Sequence, residues 1–264
     1  CLLNANATSM HFRTATSGWA TDNLGLMLKT SDGGASWQAR PTGTRFALYE
    51  SRFADETSGW VLGLSDEGIT NPRKLHILRT ADSGATWVEQ NLMLDLVPSE
   101  APASLTVIDA QRAIVHTAQR ATVTNNGGLT WANAQYPPAS VMPSGRVWAI
   151  SSAGTLMMSD NLGVTISREV ILDGRVDSVQ FVDERIGAAH ARPRDSATGA
   201  GHLIYRTTDG GATWTSTRAQ GLPETASAAS IVTSDANVMW LTLSQTAQTT
   251  YRSTDAGSRW NQVP

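Results

Sequence analysis

The chain has 264 residues and a formal net charge of −3, and its 18 Arg and 2 Lys are dispersed, which excludes a nucleic-acid binder built on a basic patch. No run of about 18 apolar residues occurs in it, so it encodes no membrane-spanning helix.

In chain order, the first predicted element is an innermost strand that begins near Ser9 and ends at an apolar anchor, Phe12. Six residues on, Gly18-Trp19 opens a second strand, a third ends at Thr30, and the octapeptide Thr30 to Trp37 (TSDGGASW) turns the chain into a fourth. The unit then returns. Octapeptides follow at Thr80 to Trp87, Thr124 to Trp131, Ser159 to Ile166, Thr207 to Trp214 and Ser253 to Trp260. Their second glycine position, Gly34, Gly84, Gly128, Gly163, Gly211 and Gly257, steps by 50, 44, 35, 48 and 46 residues, the spacing of a four-stranded propeller blade. Six blades are predicted, over about residues 9–40, 46–90, 104–135, 140–170, 177–218 and 228–264 of a single all-β domain.

The anchor element also repeats, as Phe53/Gly59/Trp60, Val107/Ala113/Ile114, Val141/Val147/Trp148 and Phe181/Gly187/Ala188, with a degenerate copy ending at Trp240. All nine tryptophans fall in one of the two repeat elements. In each octapeptide, glycine supplies a positive φ and the Asp or Asn accepts hydrogen bonds from turn amides. The carboxylates of Asp32, Asp82, Asp209 and Asp255 are therefore turn scaffolding, and Asn126 and Asn161 keep an acceptor in the same place. The tryptophans Trp37, Trp87, Trp131, Trp214 and Trp260 are expected to fill the wedge between adjacent sheets.

The pattern S/T-x-D-x-G-x-x-W resembles the Asp-box, or bacterial neuraminidase repeat. Combined with the preceding Gly-Trp strand, as in Ser58-Gly59-Trp60-Val61-Leu62-Gly63 with Ile77 to Asp82, the chain over residues 9 to 264 is similar to the photosystem II assembly/stability factor family of propellers. That resemblance implies a propeller that binds a protein partner and helps a membrane complex to assemble; the six blades counted from the repeats depart from the family, whose members usually carry seven. Residues Leu2 to Ala7 are expected to cover the outer edge of the sixth blade if the ring closes, since an open edge invites aggregation.

The only cysteine is Cys1, the residue that cleavage of a bacterial lipoprotein precursor leaves first and ready for lipid attachment. The expected setting is exported, periplasmic or extracellular, with a lipid anchor at Cys1. The alternative is a chain boundary that happens to fall there.

Strand alternation points the residue before each anchor away from the core. His11, Arg52, Thr106, Ser140 and Gln180, with Glu50, are thus expected to line a polar central channel. A small-ligand or glycan site there is the sharper alternative, with sialidase-like hydrolysis beyond it. That chemistry needs three converging Arg, a Tyr nucleophile assisted by Glu, and an acid/base Asp. The chain offers Arg52, and Tyr49 and Glu50 as strand neighbours should face opposite ways. The five histidines, His11, His76, His116, His190 and His202, lack metal-ligand spacing, and no nucleophilic triad, phosphate loop or redox pair is legible. The sequence therefore predicts no enzyme, metal or cofactor.

A partner is expected on the face opposite the octapeptide turns, where loop length varies. Two second-to-third-strand loops are long: Ser65 to Lys74, with Arg73 and Lys74, and His190 to His202, with Arg192 and Arg194. The connector Asn91 to Pro98 is apolar and carries Leu92, Met93 and Leu94, and such a segment either tucks over the rim or meets another protein.

Overall fold

Short alternating runs separated by Gly, Asp and Ser clusters can form only short antiparallel strands joined by tight turns. A computed structural model describes residues 7–65, 74–92, 103–194, 201–224, 226–244 and 247–264. Among these are 24 strands in six four-stranded antiparallel sheets, and no helix. The chain divides into two compact units, Cys1–Ala134 and Gln135–Pro264.

The first unit holds blade 1, of β1 (Ala7–Phe12), β2 (Gly18–Asp22), β3 (Leu26–Thr30) and β4 (Gln38–Pro41), and blade 2, of β5 (Ala47–Phe53), β6 (Gly59–Ser65), β7 (Lys74–Thr80) and β8 (Val88–Gln90). Its blade 3 is β9 (Ser104–Val107), β10 (Ala113–His116), β11 (Ala121–Thr124) and β12 (Ala132–Asn133). The second unit holds blade 4, of β13 (Pro138–Val141), β14 (Val147–Ile150), β15 (Leu156–Ser159) and β16 (Arg168–Val170), and blade 5, of β17 (Gly174–Phe181), β18 (Gly187–Pro193), β19 (Leu203–Thr207) and β20 (Thr215–Arg218). Its blade 6 is β21 (Ser227–Thr233), β22 (Met239–Ser244), β23 (Gln248–Ser253) and β24 (Asn261–Gln262). The fold class is all-β and propeller-type, with an Asp-box turn in every blade. Cys1 and residues 2–6 lie outside the described residues, so the lipid-anchor and edge-covering expectations meet no structure there.

One register is common to all six blades. The small residue opening the second strand sits opposite the anchor on one side and the first octapeptide residue on the other: Phe12, Gly18 and Thr30 in blade 1, and Phe53, Gly59 and Thr80 in blade 2. Val107, Ala113 and Thr124 follow, then Val141, Val147 and Ser159, then Phe181, Gly187 and Thr207, then Thr233, Met239 and Ser253. The reason for the glycine is steric. A Cβ on Gly18, Gly59 or Gly187 would lie 2.7, 2.5 or 2.6 Å from the ring of the Phe laid across it. Where the anchor shrinks to Val107 or Val141, the small residue grows to Ala113 or Val147.

The other face of the Phe53 and Phe181 rings belongs to the preceding blade. Trp19 stacks on Phe53 with ring centroids 3.8 Å apart, and Trp148 stacks on Phe181 at 5.2 Å, both within 12° of parallel. The octapeptide Trp instead meets a Phe anchor of its own blade edge-on, Trp37 with Phe12 at 6.0 Å, Trp87 with Phe53 at 6.1 Å and Trp214 with Phe181 at 5.8 Å. The expectation that the octapeptide tryptophans fill the wedge holds for Trp131 and Trp260, each buried in a cluster drawn from two adjacent blades, and is corrected for Trp37, Trp87 and Trp214, which are only half-buried. Where Trp19 and Trp148 stack on the next anchor the wedge is already occupied, so Trp87 and Trp214 close its rim. The second-strand Trp19, Trp60 and Trp148 are fully buried. The cations that precede the octapeptides lie over these rings: Lys29 on Trp19 at 5.1 Å and Arg79 on Trp60 at 5.5 Å, each directly across the ladder.

The octapeptide turn is one hydrogen-bond pattern repeated six times. The first hydroxyl accepts from the second-glycine amide, Gly34 N to Thr30 Oγ1 at 2.9 Å, with equivalents in the other five blades. Asp32 Oδ1 accepts from the Ser36 amide at 2.8 Å, and Asp82, Asn126, Asn161, Asp209 and Asp255 do likewise. Asn reverses one bond: Ser36 donates its hydroxyl to Asp32, whereas Asn126 Nδ2 donates to the Thr130 hydroxyl. Asn therefore keeps the turn without a charge.

Replacing Gly59 by Ala should cost about 1–3 kcal/mol by forcing the Phe53 ring aside. Adding Phe53→Val should recover part of that loss, as a double-mutant cycle of urea unfolding will read; additive losses would reject the steric coupling. The hydrogen bonds from the Ser36, Thr86 and Thr213 hydroxyls and amides hold Asp32, Asp82 and Asp209 down at about 2, below an ordinary value of 3.8. A carboxylate depressed in the fold contributes stability above its unfolded value and loses it as pH falls through the folded one. Melting temperature should therefore drop between pH 4 and pH 2, and more shallowly in the triple variant Asp32→Asn, Asp82→Asn, Asp209→Asn.

Candidate functional site

The first strands of successive blades within a unit lie side by side without a shared backbone ladder, so their backbone amides need side-chain acceptors. Each junction supplies one. Ser51 N donates to Ser9 Oγ at 3.4 Å and Leu105 N to Glu50 Oε2 at 3.1 Å; Phe181 N donates to Ser140 Oγ at 3.0 Å and Thr233 N to Gln180 Oε1 at 2.7 Å. Glu50, Ser140 and Gln180, read from the sequence as channel-lining, thus each reach the first strand of the next blade. Arg52 pairs with Glu50 at 2.9 Å, and Thr106 is half-buried on β9. His11 Nε2 is buried with no hydrogen-bond partner among the described residues, and burial together with Arg52 lowers its pKa.

The premise that Tyr49 and Glu50 face opposite ways does not hold. Pairing of β5 with β6 skips from Leu48 to Glu50, so Tyr49 is a bulged residue and the alternation breaks there. Both side chains reach blade 3: Tyr49 donates its hydroxyl to Ala103 O at 3.0 Å while Glu50 accepts from Leu105 N. Burial raises the pKa of both, and the Glu50 carboxylate adds to the rise at Tyr49. Equivalent register shifts recur in blades 1, 4, 5 and 6.

Two polar networks occupy the far ends of the blades from the octapeptide turns, and the histidine spacing concealed both. In blade 5, β18 runs to Pro193, so His190 and Arg192 lie in a strand and not in the predicted loop. His190 Nε2 and His202 Nδ1 are 2.8 Å apart and both rings are buried, a meeting that their spacing along the chain does not disclose. His202 Nε2 also bonds Pro223 O at 3.0 Å, and Asp177 lies 3.7 Å from His190 Nδ1. Asp177 takes both bonds of the Arg192 guanidinium, at 2.7 and 3.0 Å, so that charge is already committed.

In blade 2, Ser65, His76 and Glu89 come from three adjacent strands onto one face. Ser65 Oγ is 2.8 Å from His76 Nε2, and His76 Nδ1 is 2.6 Å from Glu89 Oε1. The ring stacks on Phe46 with centroids 4.0 Å apart. A Ser-His-Glu constellation is therefore present where the sequence suggested none. Lys74 and Leu92, predicted as partner contacts from separate segments, line one depression with Leu75, Glu89, Gln90 and Asn91. Arg194 is exposed and donates to Ala153 O at 3.4 Å. Arg73, Met93 and Leu94 lie outside the described residues. Among the described residues no group of three or more His, Cys, Asp and Glu could hold a metal ion, and no helix is long and apolar enough to cross a membrane.

Repeated four-stranded Asp-box blades, joined through stacked rings and side-chain clamps, define a protein of the propeller class. The chain belongs to the Photosynthesis system II assembly factor YCF48 family, whose model matches residues 3–163. No curated protein matches it in sequence. Among solved structures, it is similar to YCF48 from Cyanidioschyzon merolae, at 19% identity and a TM-score of 0.59, covering 99% of this chain and 86% of that one. It is also similar to YCF48 bound to a D1 peptide, at 18% identity and a TM-score of 0.57, covering 98% and 80%. A GH74 enzyme from Niastella koreensis shares the fold at 13% identity and a TM-score of 0.56, and this chain spans 45% of its length.

Burial and the neighbouring His202 push His190 down to about 3 from an ordinary 6.5, with Asp177 opposing. A histidine held neutral in the fold contributes stability above pH 6.5 that is lost as pH falls toward 3. Its imidazole NMR signals should stay unprotonated at pH 5, while stability already declines from pH 6.5 downward; a midpoint near 6 would show the pair to be solvated.

Proposed function

We propose that the protein is a scaffold of the cell envelope that binds a segment of a protein partner and so assists a membrane-associated complex to assemble or stay assembled. Membership of an assembly-factor family carries this reading, together with a solved relative that holds a D1 peptide and is covered over 80% of its length. We infer docking at blade ends away from the octapeptide turns: in the first unit Lys74 and Leu92 share a depression, and in the second Arg194 is exposed. Export to the periplasmic or extracellular face, with lipid at Cys1, belongs to the same proposal.

The inner-strand residue Glu50, held by Arg52, serves blade joining in this reading rather than hydrolysis or glycan capture. Glu50 is engaged by Leu105 N and Arg52, which leaves its carboxylate little freedom to act on a substrate.

The test is crosslinking and co-purification from envelope extracts, followed by kinetics on the captured partner. Exposed charges chiefly steer encounter, whereas apolar contacts hold a complex. Lys74→Glu and Arg194→Glu should slow association about tenfold and weaken its salt dependence, and Leu92→Ala should speed dissociation, with Ser83→Ala at an octapeptide turn unchanged. Loss confined to the Ser83 variant would move the surface to the other end.

A further inference from the structure

We propose that Ser65, His76 and Glu89, with Lys74, form an acyl-transfer site in blade 2 that cleaves small carboxylic esters through an acyl-Ser65 intermediate. The proposal shares Lys74 and its depression with the inferred docking surface, but its chemistry rests on Ser65, His76 and Glu89. An ionised Glu89 can only accept hydrogen bonds, so the proton in its 2.6 Å contact sits on His76 Nδ1. When the ring is neutral its other nitrogen, Nε2, presents a lone pair 2.8 Å from Ser65 Oγ, which can then donate its hydroxyl to it. That is the tautomer a general base needs. The ring cannot easily leave this pose, because it is stacked on Phe46 and its side chain is only 9% exposed.

Access and charge are supplied by the same strand ends. Ser65 is half-exposed and Glu89 is exposed. Lys74 lies directly opposite Ser65 in the β6 to β7 ladder, and directly opposed residues share a face about 5 Å apart. It also lines a depression with Leu75, Glu89, Gln90, Asn91 and Leu92, a largely polar hollow into which a short ester could settle.

In the forward step Ser65 Oγ bonds the ester carbonyl carbon while His76 Nε2 takes the hydroxyl proton. The carbonyl electron pair moves onto oxygen, where the Lys74 ammonium is the counter-charge. Collapse of this adduct breaks the bond to the leaving oxygen, which receives the proton back from His76. Water then repeats the sequence on acyl-Ser65, so that ester and water become acid and alcohol with nothing oxidised or reduced. Glu89 is a positioning residue that acts through His76.

The experiment is labelling of the whole chain with a fluorophosphonate, located by peptide mass spectrometry, beside hydrolysis of p-nitrophenyl butyrate. Wild type should be labelled at Ser65 and Ser65→Ala not at all. His76→Gln should label about 100-fold more slowly or worse and lose the rise of rate with pH. Because His76 is packed, Glu89→Gln at an exposed carboxylate provides a second arm: it should also slow labelling and shift the pH profile while the melting temperature holds. Wild type unlabelled at Ser65, or labelled equally fast in His76→Gln and Glu89→Gln, would overturn the site. Partner recovery with Ser65→Ala should match wild type, so failure of either proposal is separable from the other.

Discussion

Successive blades share no backbone ladder, and everything else in this architecture answers that gap. Within a sheet, four strands satisfy one another's amides; between sheets, side chains make most of the join, beside single backbone bonds such as Val176 N to Gly154 O at 2.9 Å. At the junctions of blades 1 and 2 and of blades 4 and 5 the answer has two parts. A large flat ring from one blade lies on the anchor of the next, as Trp19 does on Phe53 and Trp148 on Phe181, and one polar side chain, Ser9 or Ser140, accepts the amide that faces it. The ring stack excludes water and so makes the single hydrogen bond count, because an amide buried there without an acceptor costs about 1–3 kcal/mol.

The glycine of the Gly-Trp element follows from the same geometry. Phe53 must lie flat against its own sheet to present its other face to Trp19, and only a residue without Cβ leaves room beneath it. The octapeptide has a different task. Two successive residues in the left-handed region reverse the chain within a few residues, and three of these positions are not glycine: Ser83, Leu162 and Ala256, with φ of 63°, 64° and 62°. The Asp or Asn and hydroxyl bonds hold them there against a cost of about 1–2 kcal/mol each.

The ends of the blades are less uniform, and chemistry collects where the repeat is released. At Tyr49 and at Asp177 a bulge turns a side chain out of the alternating order, toward Ala103 in one case and His190 and Arg192 in the other. Past Gly63 and His190 the second and third strands extend beyond the repeat. These extensions bring Ser65 to His76 and His190 to His202.

Much of this was legible in the sequence, because the repeat period, the octapeptide turn and the pairing of anchor with small residue are local or fixed by a short hairpin. The register that places the small residue opposite the first octapeptide residue was legible too, in principle. Counting outward from Gly59 opposite Thr80 sets Ser65 against Lys74, and from Gly187 opposite Thr207 sets His190 beside His202. What the sequence alone determined was therefore the strands, their turns and which residues are spaced to meet within a blade. Only tertiary structure decided which tryptophan enters the wedge, that Tyr49 and Glu50 reach the same neighbour, and that Glu50, Ser140 and Gln180 clamp the next blade. Those outcomes depend on how one sheet lies against another and where a bulge breaks alternation, and no spacing along the chain encodes either.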